Sequence, residues 1–305
     1  MTELELLRRV RVNWQGATRR LGHARGRPTP LTWSHVALFV AAGLLLAVLV
    51  GLLYDARAIA WTHTLPSGVR TVFARITRFG KSDWLLIPSG IIVIVVSLGD
   101  WRRVSRASAA AWWEIATFAA ILFAVVAVSG LLTDVIKPIV GRARPEYVHG
   151  GPFAFTPFSL GGYAHYSFPS GHSTTAAAVA MLAAFVPSVV TIPVVIAAAL
   201  VAFSRIVVDA HFPSDVVGGI FVGIGVGYLI LRWMLAAGLV FVDRRNGHIQ
   251  SRFGVLRRLG RRHGLGTLFP ALWIALGPSP QPPDDTASNA AARSVTRSSG
   301  SSSPM

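Results

Sequence analysis

From His35 to Tyr54 the chain runs for 20 residues without an aspartate, glutamate, lysine or arginine. A bilayer-spanning helix needs about 20 predominantly apolar residues, so this stretch is long enough to cross. A secretory signal has a shorter apolar core and a small-residue cleavage site; the segment reads instead as a retained span. Five further apolar segments follow: Trp84–Leu98 (short, with Pro88), Ile115–Leu132, Ser173–Val186, Val189–Ala202 and Val216–Leu231. Several are short for a full bilayer, and their ends are expected to extend into neighbouring polar residues. The expectation is an all-α polytopic membrane protein with six transmembrane helices.

Composition agrees with that reading. Hydrophobic residues make up 52% of the 305 and charged residues only 14%, against about 25% charged in soluble domains. The chain has no cysteine, which excludes a disulfide framework, a thiolate zinc site and a cysteine nucleophile. Disordered and nucleic-acid-binding classes are excluded as well, despite a net charge of +16. The basic residues flank spans and form no nucleic-acid-binding motif.

Charge placement gives an orientation. Seven arginines precede the first span, Arg102, Arg103 and Arg106 lie between the second and third, and nine follow Phe241; with Arg232, 20 of the 29 basic residues fall on the side shared by both termini. The positive-inside rule makes that side the cytoplasm. Arg57, Arg70, Arg75, Arg78 and Lys81 lie on the other side, with four more basic residues in later loops, and read as functional or interfacial. The expected organisation is a basic cytoplasmic segment (1–33), a six-span membrane domain (34–240), a basic juxtamembrane segment (241–276) and a disordered tail (277–305). The tail is rich in Pro, Ser and Ala and cannot bury enough apolar surface to fold alone. The arginine-rich ends are placed to touch anionic headgroups, at about 1 kcal/mol per charge.

Polar residues are costly at membrane depth, so clusters of them at span ends are functional candidates. Three occur, all on the non-cytoplasmic side of this topology: Lys137 through Arg142 to Arg144-Pro145; Pro169-Ser170-Gly171-His172; and Ser204-Arg205 through Asp209 to His211 and Asp215. Together they form an inventory for handling a phosphate. Arg144 and Arg205 can clamp its oxygens bidentately and Lys137 adds a point charge. Ser170 is a natural N-cap, so the backbone N–H groups of Gly171 and His172 would face an anion at a helix start. His211 lies four residues before Asp215; on one helical turn the carboxylate could hold one imidazole nitrogen and leave the other free to attack. His172 is placed to protonate a leaving oxygen. No carboxylate cluster suited to magnesium sits nearby, so the cations would stabilise the transferring phosphoryl group. Each cluster alone has a plain reading as an interfacial histidine, an arginine anchor or a turn. All three on one membrane face do not.

Those stretches resemble the signature of the type-2 phosphatidic acid phosphatase and vanadium haloperoxidase superfamily: Lys, six residues, Arg-Pro; Pro-Ser-Gly-His; Ser-Arg, five residues, His, three residues, Asp. The match holds at every defined position, and the resemblance covers about Ser34 to Leu235. It implies that His211 is the phosphate-accepting nucleophile, Asp215 its partner and His172 the acid for the leaving group. Lys137, Arg144, Ser170, Gly171 and Arg205 would form the phosphate pocket. It implies a phosphohistidine hydrolysed by water with no metal or cofactor, at the outer face of a bacterial cytoplasmic membrane. Haloperoxidase activity is not implied, because those relatives are soluble.

Two residues stand outside the signature. Asp209 either tunes His211 or is a solvated loop carboxylate; Arg142 either contacts a second phosphate or the headgroup layer. Neither is assigned to catalysis. The aromatics of Glu146–Phe168, such as Tyr147, Phe153 and Tyr163, either line an entry for lipid tails or form an interfacial belt. Pro66–Phe79 reads as an interfacial helix, and Gly219, Gly223 and Gly227 share one face suited to close helix packing. Expected substrates are undecaprenyl diphosphate first, then phosphatidylglycerol phosphate, phosphatidic acid or lipid A phosphates. Phosphotransfer to a lipid or sugar hydroxyl uses the same motifs. A transporter or a non-catalytic lipid-binding protein is the alternative of another class.

Overall fold

The computed structural model describes residues 3–21, 31–148, 151–159, 161–184, 188–236, 241–242, 249–250 and 265–277, and within them the chain is nearly all helix. The strands are one antiparallel pair of two residues each, Phe241–Val242 with Ile249–Gln250. Among the described residues, five segments are long and apolar enough to cross a membrane: Trp33–His63, Ser67–Leu98, Arg106–Val140, Val189–Val207 and Pro213–Met234.

Helix α1 (Glu3–Leu21) precedes the first of these. The first crossing segment runs without a break through α2 (Trp33–Val50), a five-residue π turn (Gly51–Asp55) and α3 (Ala56–His63). The second holds α4 (Ser67–Ile76), a 3₁₀ turn (Thr77–Gly80) and α5 (Asp83–Leu98). The expected span Ile115–Leu132 is the middle of α6 (Arg106–Val140), a helix of 35 residues. Apolar runs do extend into their polar flanks, because a backbone that must satisfy its own hydrogen bonds in lipid continues its helix.

The fourth expected span, Ser173–Val186, falls on α7 (Gly171–Ala183), which has 13 residues. At 1.5 Å per residue that is roughly 20 Å, short of a hydrocarbon core of about 30 Å; Val186 lies outside the described residues. Its apolar character reflects burial by protein. Ser173, Thr174, Thr175, Ala176, Ala177, Ala178, Leu182 and Ala183 are all buried. Around it stand α6, α8 (Ser188–Val207) and α9 (Pro213–Ala236).

The glycine stripe of α9 makes the tightest of these contacts. A Cβ on Gly219 would lie 2.4 Å from the Ser170 carbonyl oxygen, and one on Gly223 2.3 Å from that of Thr174. The two backbones therefore touch, and the start of α7 is fixed against α9. Below them Ile121, Val125, Ala178, Leu182, Leu231 and Met234 fill a core shared by α6, α7 and α9. Outward-facing Leu44, Leu45 and Val48 of α2, with Val189 and Ile192 of α8, are exposed. Such contiguous apolar surface marks contact with lipid or with another protein.

The segment expected at the interface, Pro66–Phe79, is α4 with its 3₁₀ turn. Phe73 packs edge-on against Phe203 of α8, ring centres 5.7 Å apart, and Arg70 donates to the Thr62 carbonyl. At the opposite end, α1 and α10 (Leu268–Leu276) dock on the α5–α6 connection. Asn13 donates to the carbonyls of Ser97 and Gly99, the Asp100 N–H to Ala275, and the Trp112 indole to Leu268. The expected tail 277–305 lies outside the described residues apart from Gly277.

Candidate active site

Three chain reversals assemble the site. The first is the end of α6. Gly141 sits in the left-handed region at φ 59° and its N–H closes on the Lys137 carbonyl at 2.8 Å. A Cβ here would fall 1.7 Å from the Thr156 carbonyl oxygen, so both conformation and space require glycine. The chain then turns across the bundle, and the Ser167 N–H donates to the Arg142 carbonyl at 3.0 Å. The loop after Pro145 thus folds back and delivers Ser167 and Pro169, after a cis Phe168–Pro169 bond, to the start of α7.

The second reversal is that start. The Ser170 N–H donates to the Asp215 carbonyl at 3.0 Å, tying the heads of α7 and α9 together. Ser170 does occupy the N-cap, but its hydroxyl makes no capping bond; it accepts instead from the Ser173 hydroxyl at 3.0 Å. The expected side-chain cap is absent because a neighbouring hydroxyl one turn on competes for the oxygen.

The third reversal joins α8 to α9. His211 lies in the turn before α9, so it does not share a helical turn with Asp215 as the spacing suggested. Asp215 stands in the first turn of α9 and accepts the Phe212 N–H at 2.9 Å, the reaching-back half of a capping box. That fold-back still brings the pair together. His211 Nδ1 is 3.6 Å from Asp215 Oδ2, both side chains being buried, and Nδ1 has no partner within hydrogen-bond distance among the described residues.

The other imidazole nitrogen of His211 faces cations. Arg144 Nη1 is 3.5 Å from Nε2. The Arg144 guanidinium is held by the carbonyls of Tyr163 (2.9 Å), Ala210 (3.2 Å) and Tyr166 (3.4 Å) and stacks 3.7 Å from the Tyr163 ring centre. Arg205 is 8% exposed and donates to the Thr77 hydroxyl at 2.6 Å, while its Nε is without a partner among the described residues. Lys137 Nζ pairs with Asp134 at 2.9 Å and lies near Gly171, 3.5 Å from where a Cβ would stand. His172 packs against Gly80 of the 3₁₀ turn, where a Cβ would approach its Cδ2 to 2.7 Å. The eight site candidates, Lys137, Arg144, Ser170, Gly171, His172, Arg205, His211 and Asp215, thus stand at these three reversals, with Arg205, Lys137 and Arg144 close enough to act on His172.

The electrostatics follow from that crowding. Burial is the largest influence on His211 and lowers its pKa to about 4; the Asp215 carboxylate pulls the other way, and Arg144 and Arg205 add to the fall. His172 is lowered to about 3, first by burial and then by the charges of Arg205, His211, Lys137 and Arg144. Arg144 is itself lowered by burial. An imidazole whose Nε2 faces a guanidinium at 3.5 Å points its nitrogen at the place where the cations would draw an anion.

Both residues outside the signature are structural ties. Asp209, at φ 57°, accepts the Thr62 hydroxyl at 3.2 Å and pairs with His63 Nε2 at 3.3 Å, so it is neither a free loop carboxylate nor a partner of His211. Arg142 is 3% exposed and meets neither headgroups nor solvent. Its Nη1 donates to Ser214 (2.6 Å) and Asp215 (2.7 Å), its Nη2 to Asp55 (2.7 Å) and the Pro152 carbonyl (2.8 Å). Asp55, Ser167 and Ser214 were not singled out by motif. For Asp55 one signal existed: it is the first carboxylate after 20 residues without a charge.

Two features adjoin the pocket on its apolar side. The loop aromatics Tyr147, Phe153, Phe155, Phe158 and Tyr163 are all exposed. A groove of 740 Å³ runs between α2, α6 and α9, lined by Val36, Phe39, Ile136 and Phe221 and also by Phe168 and Pro169. Those two residues immediately precede Ser170.

Comparison with known proteins gives the family. The family model of the PAP2 superfamily matches residues 118–238, which contain every defined position of the signature. A lipid A 1-phosphatase of Rhizobium johnstonii is 34% identical over 234 residues, 76% of this chain and 93% of its own. The undecaprenyl-diphosphatase BcrC of Bacillus subtilis is 42% identical over 67 residues, 22% of this chain and 35% of its own. The crystal structure of a transmembrane PAP2-type phosphatidylglycerolphosphate phosphatase from Bacillus subtilis aligns with a TM-score of 0.47 at 24% identity, covering 65% of this chain and 94% of that one. With five helices fit to cross a bilayer and a matching relative that spans three quarters of its length, the chain is an integral membrane protein belonging to the PAP2 superfamily.

Proposed function

We propose that this PAP2-type membrane lipid phosphatase removes the 1-phosphate of a lipid A-type glycolipid through a phosphohistidine on His211, at the outer face of a bacterial cytoplasmic membrane. The observation that carries the chemistry is the orientation of His211, with Nδ1 toward Asp215 and Nε2 3.5 Å from Arg144. The Nε2 lone pair attacks phosphorus, the bond from phosphorus to the lipid oxygen breaks, and that oxygen takes a proton from His172. Water then attacks the phosphohistidine, giving a proton to His172 and releasing inorganic phosphate. Arg205 brings an unpaired Nε to the phosphate oxygens, and Arg144 and Lys137 bring further positive charge.

His172 is neutral in the free enzyme, held down to about 3 by burial and by three surrounding cations. A phosphate dianion offsets those cations, so the proton on His172 becomes stable when the substrate is in place. The acid is armed by the group it serves.

The choice among lipids rests on the relatives. The lipid A 1-phosphatase is matched over 93% of its length, the undecaprenyl-diphosphatase over 35%. That moves lipid A 1-phosphate ahead of undecaprenyl diphosphate, the first choice from sequence alone. The apolar groove that Pro169 helps to line supports a substrate with long tails. In this reading α7, buried among α6, α8 and α9, takes the place of the sixth crossing, and both termini are cytoplasmic, as the 20 basic residues on that side suggest.

The test is phosphate release by detergent-purified protein in excess EDTA. The panel is a lipid A 1-phosphate, undecaprenyl diphosphate, phosphatidylglycerol phosphate and phosphatidic acid, with His211→Ala in parallel. Fastest release from lipid A 1-phosphate, abolished in the variant, is the expected result. Release that persists in His211→Ala removes His211 as nucleophile. Transfer to an added lipid or sugar hydroxyl without free phosphate identifies a phosphotransferase.

A further inference from the structure

One cation sits between two buried carboxylates behind His211. The Arg142 guanidinium lies over the Phe212 ring, 4.2 Å from its centre, and splits its donors between Asp215 and Asp55, each at 2.7 Å. Asp55 also accepts the Ser214 N–H at 3.1 Å and the Ser214 hydroxyl at 2.6 Å. Asp215 also accepts the Ser167 hydroxyl at 2.6 Å and the Phe212 N–H. Both carboxylates are 0% exposed, and every oxygen has a donor.

The arrangement reaches back to the first crossing segment. The π turn at Gly51–Asp55 adds a residue to that helical turn, and Asp55 at its end is buried against Ser214. Gly51 leaves room for it, since a Cβ there would stand 3.3 Å from Asp55 Oδ2 and 3.5 Å from Ser214 Cβ. A carboxylate at the end of an apolar helix is thereby committed to the rear of the site.

Counting charge shows what this accomplishes. With both carboxylates ionised, two negative groups share one positive group, and the trio carries a net charge of −1. Buried uncompensated charge is costly; Arg144 acts on Asp215 from the far side of the imidazole, and His211 is the nearer group, its Nδ1 facing Asp215 at 3.6 Å. His211 is cationic only while it carries the phosphoryl group.

We propose that Asp55 and Arg142 are positioning residues that hold Asp215 with an uncancelled negative charge, so that the imidazolium of phosphohistidine 211 is matched before it forms. This rests on the phosphohistidine reading above. Asp55 occupies half of Arg142 and so keeps the guanidinium from neutralising Asp215; Arg142 in turn fixes the orientation of the Asp215 carboxylate.

The test compares wild type with Asp55→Asn, Arg142→Gln and the double variant, in detergent. The readouts are kcat, KM, vanadate affinity and the ¹⁵N shifts of the His211 ring. Asp55→Asn brings the trio to zero net charge and Arg142→Gln to −2, while the double variant returns it to −1. The expected result is a fall in kcat of about 10–100-fold in Asp55→Asn, with KM and vanadate affinity within about 3-fold. The double variant should recover at least about 5-fold over Asp55→Asn. A purely structural pair predicts the reverse, a double variant no faster than the slower single, and that outcome overturns the inference. So does Asp55→Asn with wild-type kcat. If Asp55→Asn does not fold, the double variant decides: kcat within about 10-fold of wild type supports matched charge, and a larger loss overturns it.

If wild type is silent on every lipid, the substrate reading fails by itself and the ring shifts decide the inference. An Nδ1–H tautomer in wild type and the double variant, replaced by a mixture in Asp55→Asn, supports it. One tautomer in all three overturns it.

Discussion

His211 turns Nδ1 toward Asp215 at 3.6 Å, yet both oxygens of that carboxylate are already engaged by Arg142, Ser167 and the Phe212 N–H. Asp215 is held from three sides, and the imidazole stands beyond hydrogen-bond distance from it. Replacing Asp215 with Asn should lower kcat on the order of 10³-fold with little change in KM, since the amide offers a donor where only acceptors fit and carries no charge for an imidazolium. Steady-state kinetics on the best lipid of the panel checks it; a KM effect without a kcat effect would remove Asp215 from the chemistry.

Acid should destabilise the protein before it protonates the site. The unfolded histidines take protons near 6.5, whereas folded His211 and His172 do so only at about 4 and about 3. Between those values the unfolded chain binds more protons, so stability falls as pH drops from about 6.5 toward 4. Melting temperatures between pH 7.5 and 4.5 should show that decline, and a flatter one in His211→Asn. An equally steep decline in that variant would mean other groups control acid lability.

Gly219→Ala probes the contact between α7 and α9. Its methyl would stand 2.4 Å from the Ser170 carbonyl, so the backbones must part, at a cost of about 1–3 kcal/mol for overpacking. Because Ser170 opens α7 beside His172, activity should fall together with thermal stability. Gly68→Ala, where nothing lies within 4 Å, should leave both unchanged.

Arg205→Lys keeps the charge but loses the unpaired Nε and the planar fork that grips two oxygens. Vanadate inhibition should weaken by roughly 10-fold, and KM for the lipid should rise, with a smaller effect on kcat. A competitive inhibition constant equal to wild type would show that Arg205 does not hold the phosphate.

The signature residues were legible because each stands in a short stretch whose residue types already indicate a chemical role. Cations gather near a span end, a Ser-Gly turn precedes a helix, and a histidine lies four residues from a carboxylate. The rear of the site was not legible. Asp55 and Arg142 are separated by 87 positions, and nothing local to either points to the other; the π turn that aims Asp55 has no pattern in Gly-Leu-Leu-Tyr-Asp. Helix α7 is ambiguous in a different way. Its threonines and alanines read as apolar enough for lipid, but 13 residues of small side chains serve equally as a packed interior. Hydropathy alone does not separate the two settings.

The π turn also sets an order of events during synthesis. Asp55 leaves the ribosome early, Arg142 follows, and the head of α9 with Ser214 and Asp215 comes near the end. Until that last long helix is inserted beside the first, the carboxylate lacks its serine and the guanidinium lacks its second carboxylate. A half-translated chain therefore holds Asp55 and Arg142 but neither Arg205 nor His211, and the site is complete only when the earliest and latest crossings meet.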